Sequence, residues 1–117
     1  MHEISLVRNV FRTLEAQLPG EELARLDKIK LRIGLLSNVE PILMQNAFEA
    51  VTETEHPQFK AVQLEIELVP IRILCPSCGQ ESGVENYRFR CGYCDTPSNE
   101  VVSGTELLIG GVELREV

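Results

Sequence analysis

Four cysteines in two pairs constrain this chain more than any other feature. They read Cys75-Pro-Ser-Cys78 and, twelve residues later, Cys91-Gly-Tyr-Cys94, and there is no fifth cysteine. Two residues between cysteines let both sulfurs of one tight turn face a single ion. Two such turns joined by a short hairpin supply four thiolates at tetrahedral corners, which is how a closed structural zinc site is built. Gly79 and Gly92 fall where backbone amides must turn toward sulfur, and are expected to relieve the chain there. So short a segment cannot bury enough surface to fold alone, so metal binding is expected to provide much of its stability.

Other uses of the same cysteines remain open at this point. Two disulfides need an oxidising compartment, yet the N-terminus shows no apolar run with a cleavage site, so a cytoplasmic protein is expected. A redox CxxC usually stands alone beside a βαβ pattern, whereas here there are two in a ribbon-like segment. Iron on four cysteines is the nearest competitor, because the glycine-bearing knuckles resemble those of rubredoxins and ligand type alone does not separate the metals. Nucleic-acid binding fits poorly. The formal charge is −7, and four metal-bound thiolates make it about two units more negative, whereas phosphate binding draws on Lys and Arg. With 117 residues, 44% of them hydrophobic, the chain suits one domain or one and a half. No apolar stretch is long enough to span a membrane.

Around the cysteines the periodicity predicts an α+β fold. Ile4, Val7, Phe11, Leu14 and Leu18 recur at helical spacing over 4–18, and Pro19-Gly20 stops the helix. Residues 21–27 read as a polar helical turn or linker. Ile29, Leu31, Ile33 and Leu35 alternate with polar residues, predicting a strand over 28–35. Ser37 and Asn38 are cap candidates for a helix beginning at Pro41 and running to about Thr54, with Leu43, Ala47, Phe48 and Val51 inward. His56 reads as a solvated loop residue. Val62, Leu64, Ile66 and Leu68 predict a second strand, with Glu65 and Glu67 on its wet face. A third over 106–115 meets Gly110-Gly111, expected to form a bulge or bend. Placing this last strand beside the other two gives a small mixed three-stranded sheet with two helices. Residues 1–70 and 104–117 then form one domain, and 71–103 an inserted four-cysteine zinc ribbon.

The chain starts Met1-His2-Glu3. A free α-amine has a pKa of about 8 and binds metal when deprotonated. The amide and imidazole of His2 follow it closely enough to close small chelate rings. A planar amine and amide set favours Ni²⁺ or Cu²⁺, and the Glu3 carboxylate can bind axially or orient His2. Taken alone the signal is weak, since an early Glu is often only favourable charge at a helix start. Glu40 carries the same ambiguity before its helix.

The combination resembles the HypA/HybF family of hydrogenase nickel-incorporation proteins. The opening Met1-His2-Glu3-Ile4-Ser5-Leu6 carries the resemblance, as do Leu31-Arg32-Ile33-Gly34 to Val39-Glu40-Pro41, both CxxC pairs and Ser103-Gly104 to Gly111-Val112-Glu113. It covers the whole chain in order. It implies a nickel metallochaperone rather than an enzyme, with transferable Ni²⁺ at Met1, His2 and Glu3 and structural Zn²⁺ at Cys75, Cys78, Cys91 and Cys94. The implied partners are a HypB-type GTPase and the large subunit of [NiFe]-hydrogenase, with urease maturation factors for some members, and no nucleic acid or membrane. Some relatives carry a histidine near the zinc cysteines; none lies between Cys75 and Cys94 here. Monomer and homodimer both remain compatible. The rival readings are a zinc-ribbon interaction module without transferable metal and an electron-transfer protein with iron on the four cysteines.

Overall fold

A computed structural model describes residues 3–116. Helix α1 (Glu3–Gln17) buries Leu6, Val7, Phe11 and Leu14 along one stripe, as the 3.6-residue period requires. The polar segment that follows holds a one-turn helix, α2 (Gly20–Leu23), the helical alternative of the two expected there. Strand β1 (Leu26–Gly34) leads through a 3-10 turn (Leu35–Ser37) to α3 (Pro41–Thr54). Strand β2 (Gln63–Val69) follows, then β3 (Arg72–Leu74), β4 (Glu81–Gly83), β5 (Val101–Ser103) and β6 (Leu107–Leu114). The strands form two three-stranded sheets, ordered β2-β1-β6 and β4-β3-β5. The final strand therefore pairs beside β1, as expected, and runs through Gly110-Gly111. Backbone bonds at both ends, Gly34 N–H to Glu106 O (2.7 Å) and Arg115 N–H to Arg25 O (2.6 Å), make the pairing antiparallel.

Two compact units emerge. The first holds 1–31, 39–67 and 108–117; the second holds 32–38 and 68–107. The second unit is thus wider than the inserted 71–103 segment. It takes in the end of β1 because Gly34 and Leu36 donate their N–H groups to Glu106 and Gly104.

In the first unit, α1 and α3 pack together. Phe11 stacks on Phe48 (centroids 5.6 Å apart) and on Phe59 (5.2 Å), an offset arrangement that adds to simple burial. His56 joins this cluster, its ring 4.7 Å from Phe11. It is half-buried rather than a solvated loop residue, because the chain leaving α3 folds back as a 3-10 turn (Pro57–Phe59).

Helix α3 corrects two further expectations. Its inward residues are Met44, Ala47, Phe48 and Val51, while Leu43 is 48% exposed. Its cap position is Glu40, with no side-chain cap bond. Ser37 instead donates to Gly34 O, and Asn38 ends the 3-10 turn in a left-handed conformation, φ 61°. In β2, Leu64 is buried but Leu68 is exposed, and the buried phase passes to Val69, Ile71 and Ile73. Glu65 and Glu67 are exposed, as expected.

The second unit is built on β3. Ile73, fully buried, lies between Ser82 on β4 and Val101 on β5. Gly34 and Gly104 are required here. A Cβ on Gly34 would overlap the carbonyl of Gly104 and lie 2.6 Å from Thr105 N. Gly104 has φ +109°, and a Cβ there would lie 2.9 Å from Ile71 Cα.

Candidate metal centre

Each cysteine pair forms the same small loop. After Cys75, Gly79 N–H returns to Cys75 O at 3.1 Å; after Cys91, Asp95 N–H returns to Cys91 O at 3.0 Å. Both loops close on a left-handed residue, Gly79 at φ 74° and Asp95 at φ 61°. The second knuckle therefore takes its left-handed turn at Asp95 and not at Gly92, the glycine expected to serve there. Asp tolerates this conformation better than most residues, since its short polar side chain bonds locally. Gly92 instead lies against Ser82, whose hydroxyl accepts Gly92 N–H at 3.1 Å.

These loops aim backbone amides at sulfur. Ser77 and Cys78 each donate N–H to Cys75 Sγ at 3.4 Å, and Tyr93 donates to Cys91 Sγ at 3.4 Å. Such donors favour the thiolate. The Cys78 amide, with that of Ser77, holds the Cys75 thiol down at about 6. The Tyr93 and Cys94 amides lower Cys91 likewise. Cys78 is pushed up to about 12: the Gln80 amide pulls it down, but burial and the neighbouring sulfurs outweigh that pull. Four thiols this close do not ionise independently, and a divalent cation removes the conflict by binding all four as thiolates.

All four sulfurs lie within 4.8 Å of one another, and among the described residues they are the one such group of potential metal ligands. Cys75 Sγ is 3.5 Å from Cys94 Sγ, and Cys78 Sγ is 3.6 Å from Cys91 Sγ. Both distances far exceed a disulfide bond, and the cysteines are free. A tetrahedron with zinc–sulfur bonds of about 2.3 Å has edges of about 3.8 Å, so a donor set with two edges just under that length and none beyond 4.8 Å is of the right size for such an ion. Cys75 and Cys91 are buried, while Cys78 and Cys94 are exposed.

Sequence reasoning passed over three supports. Ser82 ties β4 to the second knuckle, and Thr96 places its hydroxyl 3.2 Å from Cys94 Sγ. Ser98 donates to Leu74 O at 2.6 Å and accepts Glu100 N–H at 3.3 Å, fixing the strand that enters the first knuckle. No spacing rule marks Ser82, but Asp95 could have been found by its match to Gly79 in the other loop.

Other candidates stand apart from this cluster. Glu3 is the first residue of α1 and is half-buried. Met1 and His2 lie outside the described residues. Glu40 and Asn38 are not among the residues gathered at the sulfurs.

The family model described as "Hydrogenase/urease nickel incorporation, metallochaperone, hypA" matches residues 1–114. The chain belongs to the HypA family. A "Hydrogenase maturation factor HypA" from Desulfitobacterium hafniense is 34% identical over 116 residues, covering 99% of this chain and 100% of that protein. One from Aquifex aeolicus is 30% identical over 115 residues, covering 98% of each. The fold agrees. A "Solution structure of HypA protein" superposes with TM-score 0.70 at 22% identity, over 97% of this chain and 96% of the other. The "Ni metallochaperone HypA from Helicobacter pylori" superposes with TM-score 0.65 at 22% identity, over 98% of both. HypA proteins are metallochaperones that act as maturation factors for nickel enzymes, so this chain is not an enzyme.

Proposed function

We propose that this chain takes up Ni²⁺ at its N-terminus and delivers it for assembly of [NiFe]-hydrogenase, while Cys75, Cys78, Cys91 and Cys94 hold a structural Zn²⁺. The supporting observation is a family match that begins at the first residue, where Met1-His2-Glu3 stands, in a chain whose thiol cluster supplies a second donor set of different chemistry.

The two sites have opposite requirements. Four thiolates around Zn²⁺ leave no open position, so that ion stays and cross-links the knuckles. An amine, an amide and one imidazole leave positions open, which suits an ion that must be handed on. Glu3 follows that donor set directly in sequence and offers a carboxylate to it, and the acidic chain attracts cations. Delivery then needs competing ligands on a partner. A HypB-type GTPase and the hydrogenase large subunit fill these roles, with urease maturation as a second destination. The reducing cytoplasm keeps the four thiols free.

Calorimetric and absorbance titration of untagged, zinc-loaded protein with Ni²⁺ tests the reading. One-to-one binding with a planar d–d band is expected. It should vanish when two residues are added before Met1 and in His2→Ala, with the melting temperature of His2→Ala unchanged. Undiminished binding in the extended protein would overturn the N-terminal site.

A further inference from the structure

Strand β6 is an edge of its sheet, with β1 as its one neighbour in the strand order. It runs Leu-Leu-Ile-Gly-Gly-Val-Glu-Leu, and none of these residues is buried. Leu108 is 50% exposed. An edge strand turns a row of N–H and C=O groups toward solvent, and native proteins protect that row with charges, Lys, Pro or a covering group. The opposite edge, β2, is protected in this way. Glu65 and Glu67 are exposed along it, and Gln45 on α3 donates to Leu64 O at 2.8 Å. Strand β6 has no Lys and no Pro. Its one charge, Glu113, is drawn toward β1, 3.0 Å from Lys30 Nζ and 3.9 Å from Lys28 Nζ.

We propose that a second copy of this chain docks on that edge, β6 pairing antiparallel with β6 about a two-fold axis. The two sheets then join into one, ordered β2-β1-β6-β6-β1-β2.

The strand's own sequence selects this occupant. Gly110 and Gly111 stand at its midpoint. A two-fold axis there sets Leu107, Leu108 and Ile109 of one copy against Val112, Glu113 and Leu114 of the other. Both ends of the contact are thus mainly aliphatic, a pairing that stabilises adjacent strands. No side chain crowds the axis itself. Glu113 of one copy falls near Leu108 of the other, so the two Glu113 carboxylates stand about 17 Å apart along the strands. That exceeds the screening length of about 8 Å at physiological ionic strength. Self-pairing therefore opposes no like charges along the strand, and each Glu113 keeps its lysines. The contact uses the same patch on both copies, so it closes at two. Backbone bonds and aliphatic burial hold it, while each copy carries −7. Added salt should strengthen it by screening one copy from the other.

Sedimentation velocity from micromolar to millimolar concentration tests this on the full-length protein, purified with its metal, free of nickel and under a reductant. Nickel bridges and disulfides are thereby kept out of the contact. The expected result is a monomer that passes to a dimer as concentration rises, and more readily in high salt. Amide hydrogen exchange at the upper end of the range should slow in peptides covering 107–114 and stay unchanged over β2. Leu108→Glu brings a second carboxylate near Glu113 of the other copy. It should raise the dimer dissociation constant by about tenfold or more, because symmetry counts the change twice, with circular dichroism unaltered. Leu108→Val should keep the dimer. A chain that stays monomeric throughout would overturn the proposal. So would a dimer whose protection falls on β2 or on 68–106, one weakened by salt, or one undiminished by Leu108→Glu.

Discussion

Gly34 lies so close to the Gly104 carbonyl that any Cβ there overlaps it, and the strand cannot yield without loosening the Gly34 N–H bond to Glu106 O. Gly34→Ala is expected to lower unfolding stability by about 3 kcal/mol. Denaturant melts measure this, and a loss below about 1 kcal/mol would mean that the backbone relaxes freely. A second residue-scale contact is sensitive to pH. Arg8 grips Glu55 with Nε at 3.0 Å from both oxygens and a terminal nitrogen at 2.7 Å from one. The Arg8 hydrogen bond holds the Glu55 carboxyl below its ordinary value of 4.5. A depressed carboxyl adds stability that is complete above its ordinary value and is lost as pH falls through the folded one. The melting temperature of Arg8→Ala should therefore lie below that of the unaltered protein at neutral pH, with the gap closing as pH falls below the ordinary carboxyl value. A gap that persists in acid would place the effect in the packing of the Arg8 stem. At this scale the sequence speaks for the ligands and not for their supports. Cysteine spacing is local, whereas Ser82 reaches Gly92 only because β4 folds against the second knuckle.

In α3 one position separates a correct element from a correct face. Met44 precedes Ala47, Phe48 and Val51 by three, four and seven residues, the full helical stripe. Leu43 fits that stripe less well, since it precedes Phe48 by five residues and Val51 by eight. Met44 is fully buried and Leu43 is not. Met44→Ala should thus cost about 2–5 kcal/mol, and Leu43→Ala well under about 1 kcal/mol. Equal losses in chemical denaturation would show the stripe to be misplaced. Strand β2 fails differently. Its alternation holds through Leu64 and slips by Leu68, where the chain enters the second unit. Strict period-two reading assumes one core for the whole strand, and this strand serves two. His56 was illegible for a third reason. Its stacking partner Phe11 lies far away in sequence, and only the packing of α1 on α3 brings the rings together. The helices, β1 and the pairing of β6 were legible because each rests on periodicity or on simple economy of partners.

Across the whole molecule, the two units have unlike sources of stability. The first has a phenylalanine-centred core. The second has three-residue strands around Ile73 and the four sulfurs. Removing metal with a strong chelator at neutral pH, or substituting Cys75→Ala, should leave helical circular dichroism largely intact while opening the second unit to trypsin at Arg88 and Arg90. Cleavage confined to the first unit, or simultaneous loss of all helix signal, would contradict this division. Gly34 and Gly104 bear on what descendants of this sequence can become. Every codon change that replaces a glycine adds at least a Cβ, and neither position has room for one. Both sites are thus dead ends in mutational space. A lineage can drift across the exposed face of α3, yet it must carry this pair of glycines unchanged or rebuild both strands around them at once.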